Sequence, residues 1–261
     1  MNMTFTKLCL SVFLLIILTA CAQQAPIDHE WKSLFNGQNL DGWTVKIRHH
    51  EVGDNFADTF RVENGLLRVS YDQYDTFDKQ FGHLYFNKPY ANFHLKLDYR
   101  FYGEFMHDAP HYAMRNSGVM YYSQAPKTIL KEQDWPISVE MQFLAGLDDG
   151  KARPTGNMCS PGTEINYQGV KYHEHCLRSS SPTLGVDEWV SAELIVKNGK
   201  VTQIINGQTV LQYDDPEMGG KFVKGYDPAV WTPGKKLTSG YIALQSEGHP
   251  IEFKNIEIKA L

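Results

Sequence analysis

Phe93-His94-Leu95-Lys96-Leu97-Asp98-Tyr99-Arg100-Phe101-Tyr102 is the stretch that decides the fold class. Its apolar and polar residues alternate one for one, the period of a β-strand with one face toward a core and the other toward water. Val190, Ala192, Leu194 and Val196 repeat the pattern. Asn64-Gly65, Asn198-Gly199 and Asn206-Gly207 lie between apolar stretches. Asn-Gly readily adopts the positive φ angles of tight hairpins, so the strands it joins pair antiparallel. Near the C-terminus Ile251 and Phe253 hold one phase and Ile256 and Ile258 the other, which predicts a bulge near Lys254-Asn255. Past residue 21 Gly or Pro interrupts most candidate helices. The pattern predicts an all-β chain, a sandwich of two antiparallel sheets packed face to face.

The composition fits a folded chain: 42% of residues are hydrophobic and 13% aromatic, which excludes a disordered one. Across 261 residues, 25 Lys and Arg face 30 Asp and Glu, a net charge of −5 with no basic cluster. A nucleic-acid partner is therefore not expected, because phosphate neutralisation needs a basic footprint. No internal repeat or Pro/Ser-rich linker divides the chain, and a single domain is read over residues 31–261. Gly146 to Pro182, rich in Gly, Pro, Ser and Cys, reads as a long inserted loop of the kind that often carries function.

Lys7, the apolar run Leu8 to Leu18 and then Thr19-Ala20-Cys21 have the layout of a secretion signal over residues 1–20. The run is too short for a permanent membrane span. Leu18-Thr19-Ala20-Cys21 resembles the lipobox of bacterial lipoproteins. That resemblance implies cleavage before Cys21, lipid on its sulfur, a tether over residues 21–30, and a place in the cell envelope, periplasm-facing or on the outer membrane, with membrane contact through the anchor alone. Cys9 would leave with the signal, so Cys159 and Cys176 remain as an even pair in an oxidising compartment. The natural reading is a disulfide, contributing about 3 kcal/mol through the loop it closes. A metal site of Cys159, His173, His175 and Cys176 is the alternative, though its spacing matches no zinc pattern.

Several segments carry a wider resemblance: Ser33-Leu34-Phe35-Asn36-Gly37 with Leu40-Asp41-Gly42-Trp43, Arg115-Asn116-Ser117-Gly118-Val119, Val139-Glu140-Met141-Gln142-Phe143, Gly240-Tyr241-Ile242-Ala243-Leu244-Gln245, and Pro250-Ile251-Glu252-Phe253-Lys254-Asn255-Ile256. In this order they resemble the DUF1080 family, also called the 3-keto-disaccharide hydrolase domain. The resemblance implies a concanavalin- or glucanase-like jelly roll whose curved sheet offers a face to sugars, and action on glycosides already oxidised to a ketone at C3. The chain has no dinucleotide fingerprint, so a separate oxidoreductase is expected to make that ketone.

Glu140 and Gln142 stand two apart in a strand-like run and point to one face. Asn116, Ser117 and Gln245 also break apolar, strand-like sequence with polar groups, and Gly118 would let a ligand approach the backbone. Of Trp135, Tyr121, Tyr122, Tyr172 and Trp231, about two are expected to line a sugar site, with Trp135 foremost, because most aromatics belong to the core. His173 and His175 share a face if their segment is extended, and with Glu140 could surround a divalent ion. His107 and His111 have helical spacing, but Pro110 argues against that helix.

An ordinary glycosidase needs two carboxylates, whereas this strand reads Glu-x-Gln and lacks the laminarinase pattern Glu-x-Asp-x-x-Glu. A C3 ketone changes the demand. It acidifies the C2 proton and places the C1 substituent where elimination expels it, so one base starts the reaction and water completes a net hydrolysis. Glu140 or His175 is the expected base, with Asn116, Gln142, Arg178 or a His-bound ion stabilising the enolate oxygen. Family members often carry an acid or His just after the final Leu-Gln; here Ser246 intervenes, and Glu247 and His249 join the expected substrate-binding set. A non-catalytic carbohydrate-binding module and a two-carboxylate glycosidase are the rival readings.

Overall fold

The structure is a computed structural model describing residues 30–261, so the expected signal and the lipidation site Cys21 lie outside the described residues. Phe93–Phe101 forms the centre of a ten-stranded antiparallel sheet, its residues alternating buried and half-buried along all nine positions. Val190–Lys197 pairs on one side of it and Ile251–Ala260 on the other, placing Leu194 and Ile258 opposite Leu95. Beyond Val190–Lys197 come Lys200–Ile205, Gln208–Met218, Thr163–Tyr167 and Val170–Tyr172; beyond Ile251–Ala260 come Leu66–Val69 and Phe60–Glu63. Short Lys32–Ser33 also pairs with Ile251–Ala260. The second sheet has seven strands in the order Cys176–Leu177, Asn157–Cys159, Val139–Leu144, Asn116–Ser123, Tyr241–Ser246, Gly82–Phe86 and Trp43–Ile47. The chain crosses between sheets repeatedly, as the expected jelly-roll sandwich requires.

Each Asn-Gly pair closes the hairpin expected of it. Asn64, Asn198 and Asn206 have φ of 53°, 50° and 48°, and each following glycine is also positive, the geometry whose twist matches the flanking strands. The pairing of Ile251–Ala260 shifts register between Lys254 and Glu257, with Asn255 at φ 51°, so the bulge falls where the phase change places it. Helix among the described residues is limited to four three-residue 3-10 turns. The sheets meet through a contiguous apolar core in which the Tyr99 and Phe143 rings stack with centroids 4.1 Å apart. Tyr121 and Tyr213 share a hydroxyl contact of 2.6 Å, and Tyr213 donates to Gln203 Oε1, which satisfies the polar ends of these buried rings.

The stretch from Gly146 to Pro182 is not the inserted loop its composition suggests. It supplies the last two strands at one end of each sheet: Asn157–Cys159 and the edge strand Cys176–Leu177 to the smaller, Thr163–Tyr167 and the edge strand Val170–Tyr172 to the larger. Strands of two to five residues are too short to show a period against so much Gly and Pro. Cys159 and Cys176 are disulfide-bonded, and the pair is cross-strand, with Cα atoms 4.1 Å apart.

The outer face of the larger sheet carries a deeply buried carboxylate at Glu252. Glu252, 1% exposed, accepts from Arg68 Nε at 2.6 Å and from Arg100 Nη2 at 2.6 Å. Both guanidiniums also cover aromatic rings, Arg68 over Tyr102 and Arg100 over Trp189. Removing the carboxylate leaves two partly buried cations facing one another. Glu252→Ala is expected to cost on the order of 2–3 kcal/mol, read as a lower urea midpoint with unchanged slope.

Candidate active site

The smaller sheet is buried on both faces. Along Asn116–Ser123 all eight residues are buried, although only alternate ones face the larger sheet. Turns and loops cover the other face, among them His111–Ala113, the segment at Ile129, which packs on Tyr85, Met120 and Ala243, and the segment around Phe222. Between these loops and the sheet lies a cleft of about 680 Å³, a size suited to a small ligand.

Cross-strand register sets what the cleft floor contains. Tyr85, Ala243, Met120, Glu140, Cys159 and Cys176 lie opposite one another in successive strands and form one row. Gln245 next to Gly118, then Gln142 and Asn157, form the neighbouring row, which continues outward through His83 and Lys46. Glu140 thus sits between Met120 and the disulfide, with little to solvate its charge. Burial pushes its carboxyl up to about 8. Gly118 makes room for it: a Cβ there would lie 2.7 Å from Glu140 Oε1 and 2.8 Å from the Met141 carbonyl. The glycine therefore serves the close approach of this side chain, in place of the ligand approach expected from sequence.

Two amides hold the floor in position. With its oxygen toward Trp135 and its nitrogen toward Glu140, Gln245 accepts from Trp135 Nε1 at 3.2 Å and donates to Glu140 Oε1 at 3.3 Å, the orientation that satisfies both ends. Gln142 Oε1 accepts from Asn157 Nδ2 at 3.0 Å, which leaves the Gln142 NH2 as the end available to a ligand. The Trp135 ring rests on Phe81 with centroids 4.6 Å apart.

Glu247, just past the strand Tyr241–Ser246, brings a second buried carboxyl to the same cleft. Burial raises it well above the ordinary carboxylate range, the neighbouring Glu140 adds to the rise, and Arg153 opposes it. Arg153 is fixed by three backbone carbonyls, those of Met114, Arg115 and Ala145. Its guanidinium is lowered to about 10, by burial first and by Arg115 next, and it stays cationic at neutral pH. Two further polar atoms on the cleft walls are buried without a partner, Asn116 Oδ1 and His175 Nδ1. Burial depresses the His175 imidazole, and its ring lies against Phe222 at 4.5 Å.

Asn116, Trp135, Glu140, Gln142, His175, Gln245 and Glu247 of the expected set line this cleft. Four others do not. Ser117 shares the inward face with its cross-strand partner Phe143 and donates to the Gln245 carbonyl at 2.8 Å. Arg178 donates to the Ala152 carbonyl and lines a different groove, of about 740 Å³, against Lys200 and Gln212 of the larger sheet. His249 packs its ring beside Phe101 and Phe105, and burial, then Arg115 and Arg153, depress it to about 4. His173 is turned outward onto Glu164, at 3.0 Å.

The set His173, His175 and Glu140 therefore does not converge on an ion. Residues 173–175 form a bend between strands of different sheets, so the two histidines share no strand face. Among the described residues Cys159, His175 and Cys176 do bring ligand atoms within 4.8 Å of one another. The two sulfurs are bonded to each other, so the oxidised protein offers a metal only the imidazole.

Only Trp135 of the five singled-out aromatics reaches the cleft. Tyr121 and Tyr122 belong to the core, the Tyr172 hydroxyl donates to the Cys176 carbonyl, and Trp231 Nε1 donates to the Gly162 carbonyl. The exposed aromatics on the rim are Tyr112 at 53% and Phe222 at 43%. Sequence reading also missed Arg153. Its loop has no periodicity, and only the three carbonyls that hold it reveal its place.

The profile of the 3-keto-α-glucoside-1,2-lyase-like domain family matches residues 30–259. A 3-keto-disaccharide hydrolase of Bacteroides thetaiotaomicron is 21% identical over 255 residues, covering 91% of this chain and 81% of the relative. Among solved structures, a candidate glycosyl hydrolase of Parabacteroides distasonis superposes with a TM-score of 0.53 at 21% identity, over 89% of this chain and all of that one. The carbohydrate-binding module CBM66 of Bacillus subtilis shares the fold, with a TM-score of 0.50 at 9% identity, over 84% of this chain and 96% of that one. With its profile matched across nearly all of the described residues, the chain belongs to the 3-keto-α-glucoside-1,2-lyase-like domain family.

Proposed function

We propose that the protein cleaves glycosides already oxidised at C3, by elimination across C2 and C1 followed by hydration, with Glu140 as the base. The buried Glu140 carboxyl carries this reading, because a carboxylate of raised basicity is suited to removing a carbon-bound proton. In the proposed first step Glu140 takes the C2 proton, which the C3 ketone acidifies, and the electron pair moves onto the ketone oxygen. Its return expels the C1 oxygen and forms the C1–C2 double bond. Glu247, whose carboxyl burial and then Glu140 raise well above the ordinary range against the opposing Arg153, is suited to supply the proton to that leaving oxygen. Water then adds at C1 and a proton returns to C2, for a net hydrolysis.

The same residues suit the other demands of this chemistry. The Gln142 NH2 and the Arg153 charge can stabilise the enolate oxygen, while Asn116 Oδ1 and His175 Nδ1, orphaned in the protein alone, can take hydrogen bonds from sugar hydroxyls. In this proposal another protein, an oxidoreductase, supplies the ketone. The residues from Lys7 to Cys21 would place the reaction at the bacterial envelope.

The direct test is turnover of a 3-keto-disaccharide in deuterated water. Deuterium at C2 of the released keto sugar is the expected result, and release of sugar with C2 fully protiated would rule the elimination out. Glu140→Gln is expected to lower kcat by about 10²–10⁴. The same variant should melt higher at alkaline pH. A carboxyl raised from 4.5 in the unfolded chain to about 8 in the fold contributes stability below its unfolded value and loses it as pH rises toward 8.

Only the ionised carboxylate can act as base, so kcat/KM should fall as pH drops through the Glu140 value, changing about tenfold between roughly pH 9 and pH 7. A flat profile over that range would remove Glu140 from the role. Gly118→Ala places a methyl against Glu140 Oε1 and should cut kcat by about tenfold or more, with a smaller effect on KM, measured by steady-state kinetics.

A further inference from the structure

The Cys159–Cys176 disulfide is placed unusually for a purely structural bridge. Both half-cystines line the cleft, in the same cross-strand row as Glu140, and the residue before Cys176 is the histidine with the orphaned Nδ1. We propose that reduction of this disulfide opens a metal site of two thiolates and one imidazole, Cys159, Cys176 and His175, selective for a soft divalent cation such as Zn²⁺. Ligand atoms of the three residues lie within 4.8 Å of one another, whereas a tetrahedral ion with ligands at about 2.0–2.3 Å needs them roughly 3.3–3.8 Å apart, so once the bridge is cut the sulfurs must separate and the imidazole move in by about 1 Å. Two sulfurs and one nitrogen with a fourth position open is the donor set of an accessible zinc site, and softness disfavours Mg²⁺ and Ca²⁺.

The ligands are held by more than the covalent bond. Leu177 pairs with Met158 beside the cysteines. The His175 carbonyl accepts from both Ser160 N at 2.9 Å and Ser160 Oγ at 3.1 Å, and the Cys176 carbonyl accepts from the Tyr172 hydroxyl at 3.1 Å. None of these contacts is made through the S–S bond itself. Cys159 is buried and Cys176 partly exposed, so an attacking thiolate reaches the Cys176 sulfur from the cleft.

The exchange balances with a dithiol as reductant. It gives two electrons and two protons to the bridge and is itself oxidised to a disulfide, and the two new thiols release their protons when the cation binds. All three ligands line the cleft that holds Glu140, so the reduced, loaded protein presents a cation to whatever occupies it. The oxidised protein does not. The site shares His175 and its cleft with the proposed sugar chemistry but does not rest on that chemistry, and its test reads metal rather than turnover.

The experiment compares the oxidised chain, the chain reduced with a non-chelating phosphine, reduced Cys159→Ser/Cys176→Ser and reduced His175→Ala, each incubated with Zn²⁺ and desalted before metal analysis, with Co²⁺ as a spectroscopic probe. One equivalent of Zn²⁺ on the reduced chain, none on the oxidised chain or the double variant, and at least about tenfold weaker binding in His175→Ala support the site. A thiolate-to-cobalt charge-transfer band should appear only where both cysteines are reduced and present. The proposal is overturned by equal Zn²⁺ on the double variant, by binding indifferent to His175, or by a reduced chain that keeps its cooperative melt and binds no metal. It is equally overturned if reduction alone abolishes the melt, since the strands are then not what holds the ligands.

Discussion

Burial of the second face of the seven-stranded sheet is the constraint on which the site depends. A sandwich needs only its two inner faces dry, and the outer face of a sheet ordinarily meets water. Here the outer face of Asn116–Ser123 is as buried as the inner one, and polar side chains along its rows lie beneath loops. The effects of desolvation run in opposite directions by charge type: Glu140 and Glu247 are raised, while His83 falls to about 3 and Lys46 to about 8. All four groups move toward neutrality, at the expense of stability.

What offsets that expense is the other sheet. Its nine-residue central strand is paired on both sides over most of its length, its hairpins are closed by Asn-Gly turns, and its Tyr99 ring stacks across the interface on Phe143 of the very strand that carries Glu140. The inward residues Val139, Met141 and Phe143 fix the strand, so Glu140 and Gln142 have no freedom but to face the cleft. Gly118 and Gln245 then set the position of the carboxyl, one by leaving space and the other by hydrogen bonding. The arrangement follows a general rule, that groups with shifted acidity belong where burial and fixed partners act together.

Some features were legible because they depend on neighbours in sequence. The alternation from Phe93, the hairpins at Asn64, Asn198 and Asn206, the bulge beside Asn255 and the shared face of Glu140 and Gln142 are all local consequences of a period of two. Features that depend on which strands lie side by side were not legible. Ser117 and Asn116 read alike in sequence, yet one faces the core and the other the cleft. His173 and His175 lose their common face because the chain bends between two sheets there, and Arg178 is carried past the cleft edge to another groove. Trp135 is the one singled-out aromatic to arrive, while Tyr112 and Phe222 reach the rim from loops without any period.

The sequence by itself determined a two-sheet antiparallel sandwich, its turns, the disulfide partners and the polar character of the strand bearing Glu140, because side-chain alternation and turn chemistry act over a few residues. Tertiary structure alone decided that Glu140 meets Glu247, Gln245, Arg153 and His175 in one cleft, since strands more than a hundred residues apart become neighbours only through hydrogen-bonded register. It also decided their chemistry. A carboxyl takes its basicity from the water it has lost, and that loss is a property of the loops folded over the sheet, not of any residue beside it in the chain.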